Sequence, residues 1–272
     1  MHYQIIPPAP HLAHIVRSFW TLSGQANVSI PMSYRLFADA CPNLIFSYGN
    51  TFRKIDQGKL GSSFSKSLLH GQTNQFEDMA VTGQFGIIGV YLYPSSLSIL
   101  FDLPGTEITN EVVDVQTLLG QEGSDLEDRI LHSLSTKERI GHISEFITSK
   151  LTKSEYYDKS MGYCVNKIIG TDGNTQIEPL AYTVNLSRRQ LERKFLKQSG
   201  LSPKLFSRIT RFRKVIKLSN AGSVSNLSSL AYEAGYSDQS HFIREFKEFS
   251  GYTPKVYFKQ TLDSADTFVE LS

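Results

Sequence analysis

At 272 residues the chain exceeds one typical domain, and 40% hydrophobic with 20% charged residues excludes a disordered or fibrous protein. No run approaches the ~18 apolar residues of a membrane span, and the start MHYQIIPPAP lacks the basic-then-apolar layout of a signal peptide, so a cytoplasmic protein with no membrane partner is expected. The net charge of +2 hides an asymmetry: residues 160–260 hold sixteen Lys and Arg against seven Asp and Glu, a balance of +9, whereas 1–159 carry −4 and 261–272 carry −3. A positive field confined to one segment is the footprint of a nucleic-acid-binding domain joined to a domain that does something else.

The first ~120 residues read as mainly β. Short apolar or aromatic runs, SFWTL (18–22), NLIFSYG (43–49), SLLHG (67–71) and FGIIGVYLY (85–93), are separated by turn residues. Pro94 halts the last of them, and SSLSILFDL predicts a short helix before Pro104. From about Asp125 the period turns helical, with Leu126, Ile130, Leu134, Ile140, Ile143, Phe146, Ile147 and Leu151 in stripes interrupted near Ser135. Such a connector can pack on its own β domain or pair with a second copy.

After Lys159 the pattern is all helix. Met161, Cys164, Val165, Ile168 and Ile169 make one amphipathic face, ended by Gly170. Thr175 and Glu178 have capping-box spacing before a short helix, and Ser187 with Gln190 repeats that spacing before a helix that stops at Gly200. Ser202-Pro203 opens a long helix to about Ser219. A short helix through Leu230 follows, then one capped by Ser237 and ended by Gly251, and a last one opened by Thr253-Pro254. The expected organisation is therefore α+β: a β-rich unit over 1–122, cupin-like or a curled sheet, a helical connector over 123–158, an all-α bipartite unit over 159–260, and an acidic tail over 261–272.

The helices contain an internal repeat. Leu180-Ala181-Tyr182 recurs at Leu230-Ala231-Tyr232 and Ser187 at Ser237, an offset of fifty; Leu191, Phe195, Gly200 and Pro203 recur at Phe242, Phe246, Gly251 and Pro254, an offset of fifty-one. Each unit is a short helix, a tight turn and a second helix, the pattern of a helix-turn-helix, with Asn185 and Gly235 where positive φ is needed. One such spacing arises often by chance, and an exposed basic helix is usually only solvated. Two units in register, with the basic charge concentrated there, favour DNA binding. The joining helix of ~17 residues spans ~25 Å, which brings two successive major grooves ~34 Å apart within reach of one chain. Arg, Gln and Glu at the exposed N-terminal positions of the second helices suit base edges, and Lys suits phosphate. Arg188, Lys197, Lys204, Arg208, Arg211, Lys214, Lys217, His241, Lys247 and Lys255 are the expected phosphate contacts.

LAYTVNLSRRQLERKFLKQSGLSPKLF (180–206) and LAYEAGYSDQSHFIREFKEFSGYTPKVYF (230–258) resemble the first and second helix-turn-helix of the AraC/XylS family of bacterial transcription regulators. The resemblance implies a seven-helix DNA-binding domain over about 160–258, and activation at promoters through RNA polymerase. Carried over by position, it implies Arg189, Glu192 and Arg193 in the first unit, and Gln239, Ser240 and Arg244 in the second, as base-reading residues; Ile243 departs from the pattern because it offers no hydrogen bond. PHLAHIVRSFW, ADACPNLIFSYGN, GIIGVYLYP and ITNEVVDVQTLLG look like the small β-rich domain preceding the regulator domain in many AraC-like proteins. That implies a sensor of a small molecule or a dimerisation role, in a monomer or homodimer. Trp20, Arg35, Tyr48, His70, Tyr91 and Tyr93 are the candidates for an effector pocket, although each residue type is more often core or rim.

The rival class is a metal-dependent β-barrel enzyme fused to a DNA-binding domain. It needs several histidines and a carboxylate together, but the apolar β runs offer only His70, and His11 and His14 read as surface residues. Cys41 and Cys164 are far apart and lack a nucleophile motif; they are expected as buried packing thiols. No catalytic residue, metal site or cofactor is expected.

Overall fold

The computed structural model describes residues 1–153, 158–220 and 226–263. Residues 264–272, most of the expected acidic tail, lie outside that set. The N-terminal half holds ten strands: β1 (His2–Ile6), β2 (Val16–Gln25), β3 (Met32–Leu36), β4 (Asn43–Ser47), β5 (Arg53–Asp56), β6 (Lys59–Ser63), β7 (Ser67–His70), β8 (Glu77–Val81), β9 (Gln84–Leu92) and β10 (Val112–Asp114). They form a six-stranded sheet, β1-β2-β9-β4-β7-β10, and a four-stranded sheet, β3-β8-β5-β6. Neighbouring strands run antiparallel.

The six-stranded sheet is covered on both faces, which is why β9 reads as a continuous apolar run rather than an alternating one. Phe19, Leu44, Phe46, Ile88 and Val90 project to one side and share a core with helical residues. Trp20, Leu22, Ile87 and Tyr91 project to the other, towards the four-stranded sheet. The alternation follows the period of two along each strand. The helices on the first face are α1 (Leu97–Phe101), α2 (Val115–Leu119), α3 (Gln121–Leu131) and α4 (Thr136–Lys153). The connector's Leu126, Ile130, Ile143, Phe146 and Ile147 are buried against this sheet, so that part of its apolar stripe is spent within the chain, while Leu134 is exposed.

Among the described residues seven helices follow: α5 (Lys159–Gly170), α6 (Ile177–Thr183), α7 (Arg188–Ser199), α8 (Pro203–Asn220), α9 (Leu227–Glu233), α10 (Gln239–Ser250) and α11 (Pro254–Asp263). They share one core built on Met161, Val165, Leu191, Phe195, Phe206, Phe212, Phe242 and Phe246. Phe37, Ala38 and Ala40, from the loop after β3, belong to that same core, so the β-rich half inserts a loop into the helical half. Cys41 and Cys164 are both buried, and burial raises each thiol to about 11, which keeps it protonated at neutral pH. Among the described residues no helix is long and apolar enough to cross a membrane.

Candidate DNA-binding surface

Two pairs of helices, α6 with α7 and α9 with α10, repeat one geometry. The Leu186 amide donates to the Ala181 carbonyl at 3.0 Å, and Tyr236 donates to Ala231 at 3.0 Å, fifty residues on. Asn185 donates to Tyr182 at 3.0 Å and Gly235 to Tyr232 at 2.9 Å. These turns need a left-handed residue, and Asn185 (φ 55°) and Gly235 (φ 92°) supply it. Gly200 and Gly251 close the second helices at φ 71° and 74°.

The caps diverge. Ser187 accepts from the Gln190 amide at 3.3 Å and the Gln190 side chain accepts from the Ser187 amide at 2.9 Å, a complete capping box. In the second unit the cap is Asp238, which accepts from the His241 amide at 2.7 Å; Ser237, the expected cap, lies one residue outside the helix. The extra residue is thus inserted before the cap, and a carboxylate is the stronger partner for a helix N-terminus. That bond from the His241 amide holds the Asp238 carboxyl below its ordinary range. Thr175 does not cap α6 either: Gln176 occupies the position without a side-chain bond, and the Thr175 hydroxyl pairs with Thr171.

Burial divides α7 and α10 into two faces. Leu191 and Phe195, and Phe242 and Phe246, are buried. Arg188, Arg189 and Arg193 are exposed and Glu192 is half-buried, with Arg188 Nε 3.0 Å from Glu192 Oε1. Gln239, Ser240, Ile243 and Arg244 are exposed. Lys197, Lys204, Lys217, Lys247 and Lys255 are exposed as well. Arg208, Arg211, Lys214 and His241 are half-buried and engaged inside the chain. Arg208 bonds Glu245 at 2.5 Å and Glu248 at 2.6 Å, and His241 Nε2 meets the same Glu245 oxygen at 3.0 Å. Lys214 lies 3.3 Å from Asp172, and Arg211 donates to the Gly173 carbonyl at 3.3 Å with its guanidinium over the Tyr236 ring. Glu245, only 1% exposed, therefore ties the second reading helix to α8. Sequence inspection passes over it because its helical position reads as polar.

A family model described as a helix-turn-helix domain matches residues 180–260, the span that carries both units. Residues 180–260 are an AraC-type helix-turn-helix domain. A second model, a domain of unknown function (DUF6597), matches residues 4–114. The HTH-type transcriptional regulator MtrA of Neisseria gonorrhoeae is 31% identical over 106 residues, 39% of this chain and 35% of that protein, so the match spans about a third of that relative. ToxT of Vibrio cholerae superposes with a TM-score of 0.49 at 14% identity, covering 89% of this chain and 98% of that one. The AraC-like transcriptional activator CuxR gives 0.34 at 12% identity, covering 82% and 88%.

Two adjoining cavities lie in the β-rich half, and the outer of them opens on the AraC-type domain. The inner one, between the two sheets, is walled by Trp20, Tyr34, Phe52, Phe64, Met79 and Ile87. The outer one opens at the seam, where Arg35, Asp39, Glu77 and Tyr91 meet Arg213 and Tyr257 of the AraC-type domain. Leu36, Ile45 and His70 line both. Of the six candidate pocket residues the fold thus gathers Trp20, Arg35, His70 and Tyr91. Tyr48 lies beneath Arg139, whose guanidinium is 4.0 Å from its ring centroid, against the core on the sheet's other face; Tyr93 packs on the helical core. Asp39, Glu77 and Arg213 went unrecognised in the sequence because their partners are distant along the chain.

The polar groups of the seam are paired. Arg213 is 3.7 Å from Asp39, and Arg35 makes a two-pronged bond to Asp78 at 2.7 and 2.8 Å. His70 Nε2 is 2.8 Å from Glu77 Oε2, His70 Nδ1 is 3.1 Å from the Gly71 carbonyl, and Lys54 bonds the other Glu77 oxygen at 2.5 Å. Burial works against the charge on Glu77, but the bonds from His70 and Lys54 outweigh it and hold the carboxyl at about 2. His11 and His14 are exposed. Among the described residues, no group of three or more His, Cys, Asp or Glu is placed to hold a metal ion.

Proposed function

We propose that the protein is a sequence-specific transcription regulator of the cytoplasm that binds promoter DNA through both helix-turn-helix units and activates transcription by contacting RNA polymerase. The observation that carries this reading is the repetition of one turn geometry in two units whose second helices bury their apolar face and expose a basic and amide-bearing one. Arg189, Glu192 and Arg193 read one half-site, and Gln239, Ser240 and Arg244 the other. Arg188 and the exposed lysines, Lys197, Lys204, Lys217, Lys247 and Lys255, contact phosphates. Arg208 and His241 serve chiefly to orient the second unit on α8 through Glu245, and Arg211 and Lys214 tie α8 to the turn after α5, since these side chains are already engaged. At 18 residues α8 is about 27 Å long, suited to placing two units in successive major grooves.

The test is selection of binding sites from random duplexes, followed by variant binding. Arg193→Ala and Arg244→Ala are each expected to lose about 1–3 kcal/mol on the selected site and to relax preference at one half-site only. Lys217→Ala is expected to weaken all sequences alike and to lower the salt dependence by about one charge. An enriched motif unaffected by either Arg change would remove the assignment.

For the β-rich half we propose a small-molecule sensor with its site in the adjoining cavities, because an apolar chamber there opens on a ring of polar groups shared by both halves. A monomer or homodimer is compatible with one chain carrying both half-site readers.

A further inference from the structure

The two reading helices end on the β-rich half at repeat-equivalent glycines, and one short loop touches both. A Cβ on Gly200 would collide with Gln72 Nε2, Thr109 Oγ1 and the Gly105 carbonyl. A Cβ on Gly251 would lie 2.7 Å from Arg35 Nη1 and from the Phe76 ring. Gln72 and Phe76 are four residues apart, so the loop joining the two contacts extends no further than about 14 Å.

The loop is braced on each side. Gln72 Nε2 donates to the Gly105 carbonyl at 2.7 Å and to Thr109 Oγ1 at 2.8 Å, and Thr109 Oγ1 donates to the Gly200 carbonyl at 3.1 Å. Thr73 donates from its amide to the Asp39 carbonyl at 2.7 Å, and the Asp39 amide donates to Thr73 Oγ1 at 3.0 Å. Beside that pair, the Ala38 amide donates to the Phe249 carbonyl at 3.0 Å, and the Arg35 guanidinium lies between the Phe76 and Tyr252 rings, 4.4 and 4.3 Å from their centroids. Two links therefore run from residues 72–76 to the helix ends: hydrogen bonds lead from Gly200 through Thr109, Gln72, Thr73, Asp39 and Ala38 to Phe249, and Phe76 reaches Tyr252 through the Arg35 guanidinium stacked between their rings. Each reading helix has twelve residues, so its capped N-terminus stands about 18 Å from this fixed end.

We propose that the loop 72–76 is a gauge that fixes the distance and angle between the two reading helices, and so sets which spacing of half-sites the protein accepts. α8 joins the units at one side only; the loop closes the frame at the helix ends away from the caps. Because helices pivoting at their C-termini carry the readers at their tips, small shifts at the glycines are amplified where base edges are met. The proposal rests on the DNA-binding reading above.

The experiment uses the full chain and duplexes carrying the selected half-sites with the spacer changed by one or two base pairs. The wild-type protein is expected to lose about tenfold or more in affinity per base pair of change, since each step displaces a half-site by 3.4 Å and rotates it about 35°. Gln72→Leu with Thr109→Val, which removes the bonds at the first glycine and keeps volume, should flatten that loss to about threefold or less. A glycine inserted between Asn74 and the exposed Gln75 lengthens the gauge without touching either contact and should do the same. Spacing profiles that stay as sharp as wild type in these two folded variants would overturn the proposal, as would full-affinity binding to a single half-site; both leave DNA binding itself intact. Absence of specific binding to any duplex would instead overturn the DNA-binding reading, and the gauge with it.

Discussion

Phe212→Ala is expected to destabilise the protein by about 3–5 kcal/mol, the cost of truncating a fully buried aromatic residue that nothing nearby can replace. Phe212 sits mid-way along α8 and meets three rings: Phe37 of the β-rich half at 5.8 Å, and Phe246 and Phe249 of the second reading helix at 5.4 and 5.6 Å. The cavity would open where the two halves and the linker helix converge. Urea unfolding followed by far-UV circular dichroism gives the change in stability. The fluorescence of Trp20, the single tryptophan, follows the β-rich half alone. Both transitions are expected to move to lower urea in the variant, because Phe37 couples them. A shift in the helical signal with none in the tryptophan signal would show that the loop after β3 is not part of the shared core.

The second large effect is on pH dependence and belongs to Glu77, which is 5% exposed. Its folded-state carboxyl, held at about 2 by His70 and Lys54 against burial, lies below the ordinary value of 4.5. A depressed carboxylate stabilises the fold above its unfolded value and loses that contribution as pH falls through the folded one. The window is therefore about pH 4.5 down to 2, and the linkage amounts to about 3 kcal/mol at neutral pH. Glu77→Gln should lose about that much at pH 7 and show a flatter stability profile across the window, with the two proteins converging near its acid end. Denaturant titrations at pH 7 and pH 3 read this directly; an undiminished difference at the lower pH would mean that packing, not the charge, accounts for the loss.

Much of the molecule was legible in the sequence wherever the signal was local. Helix periodicity, the fifty-residue repeat and the positive-φ positions Asn185 and Gly235 need only a few neighbours to be read, and the strands β2, β4, β7 and β9 stand where apolar runs occur between turns. Competition between adjacent cap residues was not legible. Ser237 and Asp238 both suit a helix start, and a one-residue insertion decides between them. Thr175 has the right spacing to cap, yet its hydroxyl finds Thr171 first. Least visible were groups whose partners come from another part of the fold. Glu77 with Lys54, Asp39 with Arg213 and Glu245 with Arg208 are 23, 174 and 37 positions apart, and nothing along the chain marks those pairings. The same holds for the candidate pocket. Trp20, Arg35, His70 and Tyr91 converge because sheet pairing and curvature bring them together, while Tyr48 and Tyr93, aromatic residues of similar character, lie elsewhere.

The two units also differ in how they are held. The first reading helix carries its arginines on an open face with a full capping box, whereas the second is tethered to α8 through Glu245 and capped by a carboxylate. On the proposed DNA-binding reading, specificity at the second half-site would depend more on positioning than on charge, with the Arg208–Glu245–His241 cluster setting that position.

The central claim, that one chain reads two successive major grooves, is tested most directly by hydroxyl-radical and methylation-interference footprinting of the full-length protein on a selected duplex. The account predicts two protected patches on one face of the helix, centred about 10 base pairs apart, with Arg193→Ala erasing base contacts in one and Arg244→Ala in the other. A single patch, weakened by both substitutions alike, would contradict it.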